Sequence, residues 1–113
     1  MNTNQEFKGV TLLILGCGSR GKNYASYAML HPDKARVVAI SDPQALARKK
    51  FLGTYGATID ETKIFADWRE ILDSPGKLAD CVVIALPDKE HKDAAIACTN
   101  KGNYLLTIDF NRI

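Results

Sequence analysis

Short apolar runs alternate along this chain with longer stretches that are apolar on one side only. The first run, VTLLIL at Val10–Leu15, is continuous rather than alternating, as a strand covered on both faces requires. It ends in GCGSRG, and a helical spacing of Tyr24, Ala25, Ala28 and Met29 predicts a helix from Lys22 to Leu30. His31-Pro32-Asp33 stops that helix, because proline disfavours helical backbone at the residue before it. A second strand is predicted at Arg36–Ser41, RVVAIS, closed by Asp42-Pro43. Pro43 fits the first turn of the next helix, QALARKKFLGTYG, where its missing N–H costs nothing. A short third strand at Lys63–Phe65 leads to Asp67, a side-chain cap for a helix over WREIL. Next come the strand CVVIAL at Cys81–Leu86, broken by Pro87-Asp88, and a helix over Glu90–Asn100 that stops at Lys101-Gly102. The last strand is YLLTI at Tyr104–Ile108.

Strands separated by helices predict a parallel sheet with right-handed crossovers, here a three-layer, doubly wound α/β fold of about five strands. No repeat or linker divides residues 1–113, which read as a single domain. Hydrophobic residues make up 46% and charged residues 25%, with a net charge of +2, so disorder is excluded. Basic residues are scattered among acids, which gives no footprint for nucleic acid. The apolar runs reach about five residues against about 20 for a membrane-spanning helix, and MNTNQEFKG has no apolar signal core. Cys17, Cys81 and Cys98 are widely spaced, which fits reduced thiols and a cytoplasmic protein better than a disulfide frame.

The candidate chemistry lies between the first strand and the first helix. Gly16, Gly18 and Gly21 have the GxGxxG spacing of a dinucleotide turn: one glycine for the tight bend, one for approach to a pyrophosphate, one for helix–strand packing. Asp42, at the end of the second strand and 21 positions after Gly21, is placed to accept hydrogen bonds from an adenine-side ribose or to cap the next helix. A carboxylate there repels a 2′-phosphate and tilts the choice toward NAD, with NADP still open because Arg48 or Arg20 could reach that phosphate. A methyltransferase that binds S-adenosylmethionine is the alternative. Such enzymes carry an acid two positions before the first glycine, where this chain has Ile14.

Four segments together, LGCGSRG, VVAISDP, FADWREIL before CVVIALPDKEH, and the helix leading to KGNYLL, resemble the Gfo/Idh/MocA oxidoreductases. The likeness covers nearly the whole chain to about Leu106. It implies a Rossmann fold in which Gly16, Gly18, Ser19, Arg20 and Gly21 form the pyrophosphate turn and Asp42 is the ribose acid. It further implies that Ala85, Leu86 and Pro87 line the cofactor and that His91 stands beside it. Family members continue into Glu-Lys-Pro after the fifth strand, with the lysine near the reacting carbon; those places hold Ile108, Asp109 and Phe110. The family's second, substrate-binding domain has no counterpart in the sequence. The expectation is therefore an NAD(P)-binding domain of a sugar- or cyclitol-type dehydrogenase, truncated and not catalytic alone, in which no catalytic residue is named. Self-association through an exposed domain edge is expected. A non-enzymatic, redox-sensing dinucleotide module is the other alternative.

Overall fold

A computed structural model describes residues 7–73, 76–102 and 104–107. Five parallel strands form one sheet: β1 (Val10–Leu15), β2 (Ala35–Ser41), β3 (Ile64–Phe65), β4 (Cys81–Ile84) and β5 (Tyr104–Thr107). Their spatial order is β3-β2-β1-β4-β5, so β1 is central and the chain reverses direction across the sheet between β1 and β4. Three helices complete the layers: α1 (Ser19–Leu30), α2 (Ala45–Tyr55) and α3 (Asp88–Asn100). The three-layer, doubly wound architecture expected from the alternation is what forms. No helix among the described residues is long and apolar enough to cross a membrane.

The continuous apolar run of β1 is explained by two separate cores. Leu12 and Ile14 point to one face and meet Ala25, Ala28 and Phe51 from α1 and α2. Leu13 and Leu15 point to the other and meet Trp68, Ile71, Ala94 and Cys98. Alternate side chains of a strand face opposite ways, so the buried stretch Leu12–Leu15, with a core on both sides, has no polar position to offer. β2 obeys the same rule with one interruption. Leu12 pairs with Val37 but Leu13 pairs with Ala39, which leaves Val38 as an extra residue. This bulge flips the phase, so Val37 and Ile40 share the first core while Ala39 faces the second.

The start of β1 is tied to the residue before β4. The Asp80 carboxylate accepts from the Thr11 N–H and hydroxyl, both at 3.0 Å, and the Thr11 hydroxyl accepts from Asp80 N–H at 2.9 Å. These bonds hold the Asp80 carboxyl below the usual carboxylate range.

Several ends differ from those the sequence predicts. Spacing alone starts the first helix at Lys22, yet α1 begins at Ser19, because the Gly18 carbonyl already accepts the Lys22 N–H at 3.0 Å. Pro43 lies outside α2, not in its first turn. The Asp42 side chain takes the Gln44 N–H at 2.9 Å, and Gln44 becomes the cap. WREIL forms a 3-10 segment over Trp68–Asp73 rather than an α-helix. Asp67 does cap it, accepting the Arg69 N–H at 2.9 Å, while Glu70 reaches back to the Asp67 N–H at 2.8 Å in capping-box fashion. β4 stops at Ile84 instead of Leu86, since β1 turns away at Gly16 and Pro87 has no N–H for a ladder. α3 starts at Asp88, earlier than Glu90, because the Pro87 carbonyl accepts the N–H groups of Glu90 and His91. The predicted strand end at Ile108 lies outside the described residues.

Phe51 is the largest fully buried side chain and the main link between α2 and the sheet. Phe51→Ala is expected to lower unfolding stability by about 3–5 kcal/mol, a large part of the roughly 5–15 kcal/mol typical of a domain. Urea denaturation followed by far-ultraviolet circular dichroism measures it.

Candidate functional site

The carboxyl ends of β1, β2 and β4 meet at one edge of the sheet, where the strand order reverses. The crevice outside such an edge is the general ligand position of open α/β folds. Backbone bonds fix the turn after β1 on both sides. Gly16 N–H donates to the Ser41 carbonyl at 2.7 Å, and Ala85 N–H donates to the Leu15 carbonyl at 2.8 Å.

Sterics assign the three glycines different tasks. Gly16 has φ +102°, a left-handed conformation, and a side chain there would meet the Ala85 carbonyl. A Cβ at Gly21 would strike the Gly16 carbonyl oxygen and press on Ile14 Cγ2, so α1 lies against β1 at a distance only hydrogen allows. Gly18 has nothing within 4 Å of a would-be Cβ; its front is open. Gly18 is also the cap of α1. Gly18 has no side chain to cap that helix, and the first turn carries no acid. The positive end of the helix dipole therefore faces open space, the arrangement that attracts phosphates. Ser19 and Arg20 lie in that first turn.

Asp42 closes the second side of the crevice. Its N–H donates to the Phe65 carbonyl at 3.1 Å, which pins it to β3. Carboxylate oxygen Oδ2 accepts the Cys17 N–H at 2.9 Å and Oδ1 accepts the Gln44 N–H at 2.9 Å. The acid therefore bridges the glycine turn and the start of α2, and the capping and ligand-facing readings of Asp42 are compatible. Arg48 Nη1 donates to the Asp42 carbonyl at 2.6 Å.

Cys17, between the two first glycines, is buried, and its thiol makes a long contact of 3.9 Å to the Ser41 carbonyl. Burial first, and the Asp42 charge second, push its pKa up to about 12, against the opposing charges of Arg48 and Lys22. A thiol held protonated is a poor nucleophile and metal ligand. Among the described residues no group of three His, Cys, Asp or Glu side chains is placed to hold a metal ion.

On the far side of the crevice, Ala85 abuts Gly16, and Pro87 is exposed. The Leu86 side chain turns into the core beside Ala94 and Cys98, so only its backbone faces the edge. His91 lies in the first turns of α3, and its Nε2 is buried with no hydrogen-bond partner among the described residues. Glu90 beside it accepts from Trp68 Nε1 and Arg69 Nη1, both at 3.4 Å, which fixes the start of α3 against the 3-10 segment. Ile108, Asp109 and Phe110 lie outside the described residues. The bridge from Asp42 to Cys17 and the Arg48 bond to the Asp42 carbonyl have no signature in the sequence. The Asp42-to-Gln44 turn does, in the Asp-Pro-Gln order.

The two kinds of glycine separate experimentally. Gly21→Ala should cost about 1–3 kcal/mol through forced displacement of α1, whereas Gly18→Ala should cost about 1 kcal/mol or less; thermal melts of both variants distinguish them. For Cys17 the folded pKa is raised above its ordinary 9.0, so its contribution to stability is complete below that pH and declines as pH rises toward 12. Iodoacetamide at pH 8 should label Cys17 far more slowly in the native than in the urea-unfolded chain, read by peptide mass spectrometry.

Residues 10–107 match the model of the oxidoreductase family with an NAD-binding Rossmann fold, Gfo/Idh/MocA. No curated protein sequence matches the chain closely enough to count as a relative. Among solved structures, the WlbA dehydrogenase from Bordetella pertussis, in complex with NADH and UDP-GlcNAcA, is 25% identical with a TM-score of 0.74. That match covers 88% of this chain and 29% of the other. The scyllo-inositol dehydrogenase from Lactobacillus casei, with bound NAD(H) and scyllo-inositol, is 19% identical with a TM-score of 0.73, covering 88% and 28%. Biliverdin reductase from Synechocystis, in complex with biliverdin and NADP+, is 20% identical with a TM-score of 0.69, covering 87% and 28%. The chain thus spans less than a third of each of these proteins, and the latter two likenesses speak for the fold alone. By the family match over nearly all its length, this chain belongs to the Gfo/Idh/MocA oxidoreductases as their NAD-binding Rossmann domain.

Proposed function

We propose that this chain binds NAD(H) across the carboxyl edge of its sheet and serves as the cofactor-binding half of a dehydrogenase acting on a sugar or cyclitol. One observation carries the reading: the open front of Gly18, the side-chain-free cap of α1, bridged through Cys17 to the Asp42 carboxylate. The N–H groups at Gly18, Ser19 and Arg20 receive the pyrophosphate, with Gly16 and Gly21 holding that turn against Ala85 and Ile14. Asp42 keeps its carboxylate at the ribose side, where acceptor capacity remains on both oxygens beyond the two N–H bonds already made. The loop Ala85-Leu86-Pro87 forms the opposite wall, and His91, whose buried Nε2 has no hydrogen-bond partner among the described residues, stands beside the cofactor in this reading. The nicotinamide supplies hydride chemistry when bound. Orientation and exclusion of water fall to this edge, and the proton of the reacting hydroxyl needs a positioned group from elsewhere in the assembled enzyme.

The three cysteines are free thiols, which supports a reducing compartment, the cytoplasm in our reading. We read self-association of the isolated chain through its exposed domain edge. Sedimentation velocity is expected to show a concentration-dependent shift, and a single monomer species throughout would refute it.

Calorimetric titration with NAD+, NADH and S-adenosylmethionine tests the main reading. The dinucleotides are expected to bind and S-adenosylmethionine to stay silent. Gly18→Val should abolish dinucleotide binding with little loss of fold, since its side chain enters only the space meant for the ligand. Asp42→Ala should weaken binding about tenfold or more, the loss of hydrogen bonds to a charged acceptor. Binding of S-adenosylmethionine alone, or full affinity in Gly18→Val, would falsify the assignment.

A further inference from the structure

The start of α3 is held twice. Its backbone turns on Pro87, whose carbonyl accepts the Glu90 and His91 N–H groups at 3.0 and 3.1 Å. Its side-chain hold is Glu90, where a single oxygen, Oε1, accepts from Trp68 Nε1 and Arg69 Nη1, both at 3.4 Å. Trp68 is buried in the second core. The Arg69 guanidinium lies 4.6 Å from the centre of the Trp68 ring, and its Nη1 is 3.6 Å from the Asp67 carboxylate. Both donors thus come from a segment that packing already fixes. That segment is in turn tied to the ribose side. The Phe65 carbonyl accepts the Asp42 N–H, and the Glu70 carboxylate accepts the Ala66 and Asp67 N–H groups at 3.0 and 2.8 Å. Bonds therefore run from Asp42 through residues 65–70 to Glu90, and from there to Pro87.

We infer that Glu90 is a positioning residue for the nicotinamide half of the cofactor, acting through Pro87 and His91 and not by touching the cofactor itself. This rests on the dinucleotide reading given above and deepens it. With Asp42 at the adenine-side ribose and the pyrophosphate at α1, the nicotinamide half falls at the β4 side. Ala85 is fixed there by its bond to Leu15, and Leu86 by the core. Pro87 is exposed and has no N–H to anchor it, so its place follows from the first turn of α3. Glu90 sets that turn against the 3-10 segment, and a bond from a charged donor to a carboxylate is stronger than a neutral one. A wall held in place beforehand spares the ligand the cost of ordering it.

Calorimetric titration of the full chain with NADH and with ADP-ribose, which lacks the nicotinamide, tests this in Glu90→Ala, Glu90→Gln and Trp68→Phe. Glu90→Ala should weaken NADH by about threefold to tenfold while ADP-ribose changes by less than about twofold. Glu90→Gln keeps an oxygen for both donors and should hold NADH within about twofold of the wild type. Trp68→Phe keeps a ring in the core and deletes the indole donor, so it should shift the NADH to ADP-ribose ratio in the same direction as Glu90→Ala. A general loosening of the fold would weaken both ligands equally. Equal losses, an unchanged ratio in Glu90→Ala and Trp68→Phe, or a loss in Glu90→Gln as large as in Glu90→Ala would overturn the inference and leave the dinucleotide reading standing. Silence of the wild type toward both ligands would overturn both.

Discussion

Between the backbone of Gly16 and the carbonyl of Ala85 there is room for a hydrogen atom and nothing larger. That contact closes the reversal point of the sheet. β1 is the central strand, and its end is tied to β2 through the Ser41 carbonyl and to the loop after β4 through Ala85. Because Gly16 bends there in a left-handed conformation, the chain leaves the sheet at once and enters α1. The same constraint brings the glycine turn and the loop after β4 together at the edge where α1 begins. Gly21 repeats the constraint one helical turn later, against Gly16 and Ile14.

Electrostatics at this edge is arranged by backbone more than by side chains. The helix end has no acid in its first turn and no side-chain cap, and the Asp42 carboxylate is held by two N–H groups. A charge fixed by backbone dipoles keeps its position when a ligand arrives, with little reorganisation. Cys17 is drawn into the same network with a different result. Its N–H serves the acid, and its thiol is kept neutral by burial and by that acid. It therefore acts as a packing residue in the middle of the site.

The two cores make the edge rigid. Each face of β1 is covered by a different set of elements, so a slip by one residue would drive Leu12 and Ile14 into the core shaped around Leu13 and Leu15, and the reverse. The bulge at Val38 adjusts β2 to this fixed partner. With the extra residue absorbed, Ser41 lies opposite Leu15, and Asp42 emerges level with the glycine turn.

The sequence by itself determined the order of elements, the parallel sheet and the position of the glycine turn. Each of these is written in local terms: a two-faced apolar run, helical spacing, and glycines where a Cβ has no room. Asp42 was legible as the acid that follows β2 beside the glycine turn, and Asp67 as a cap from the WREIL run after it. Only the tertiary structure decided where β4 ends, since that depends on β1 turning away. It alone turned Leu86 inward and inserted Val38 as a bulge, because both depend on which neighbour fills the facing core. Likewise, the bond from Asp42 to Cys17 and the bond from Arg48 to the Asp42 carbonyl join residues 25 and 6 positions apart through geometry that no local pattern encodes. A sequence fixes which groups a chain carries to an edge; packing fixes which of them face one another there.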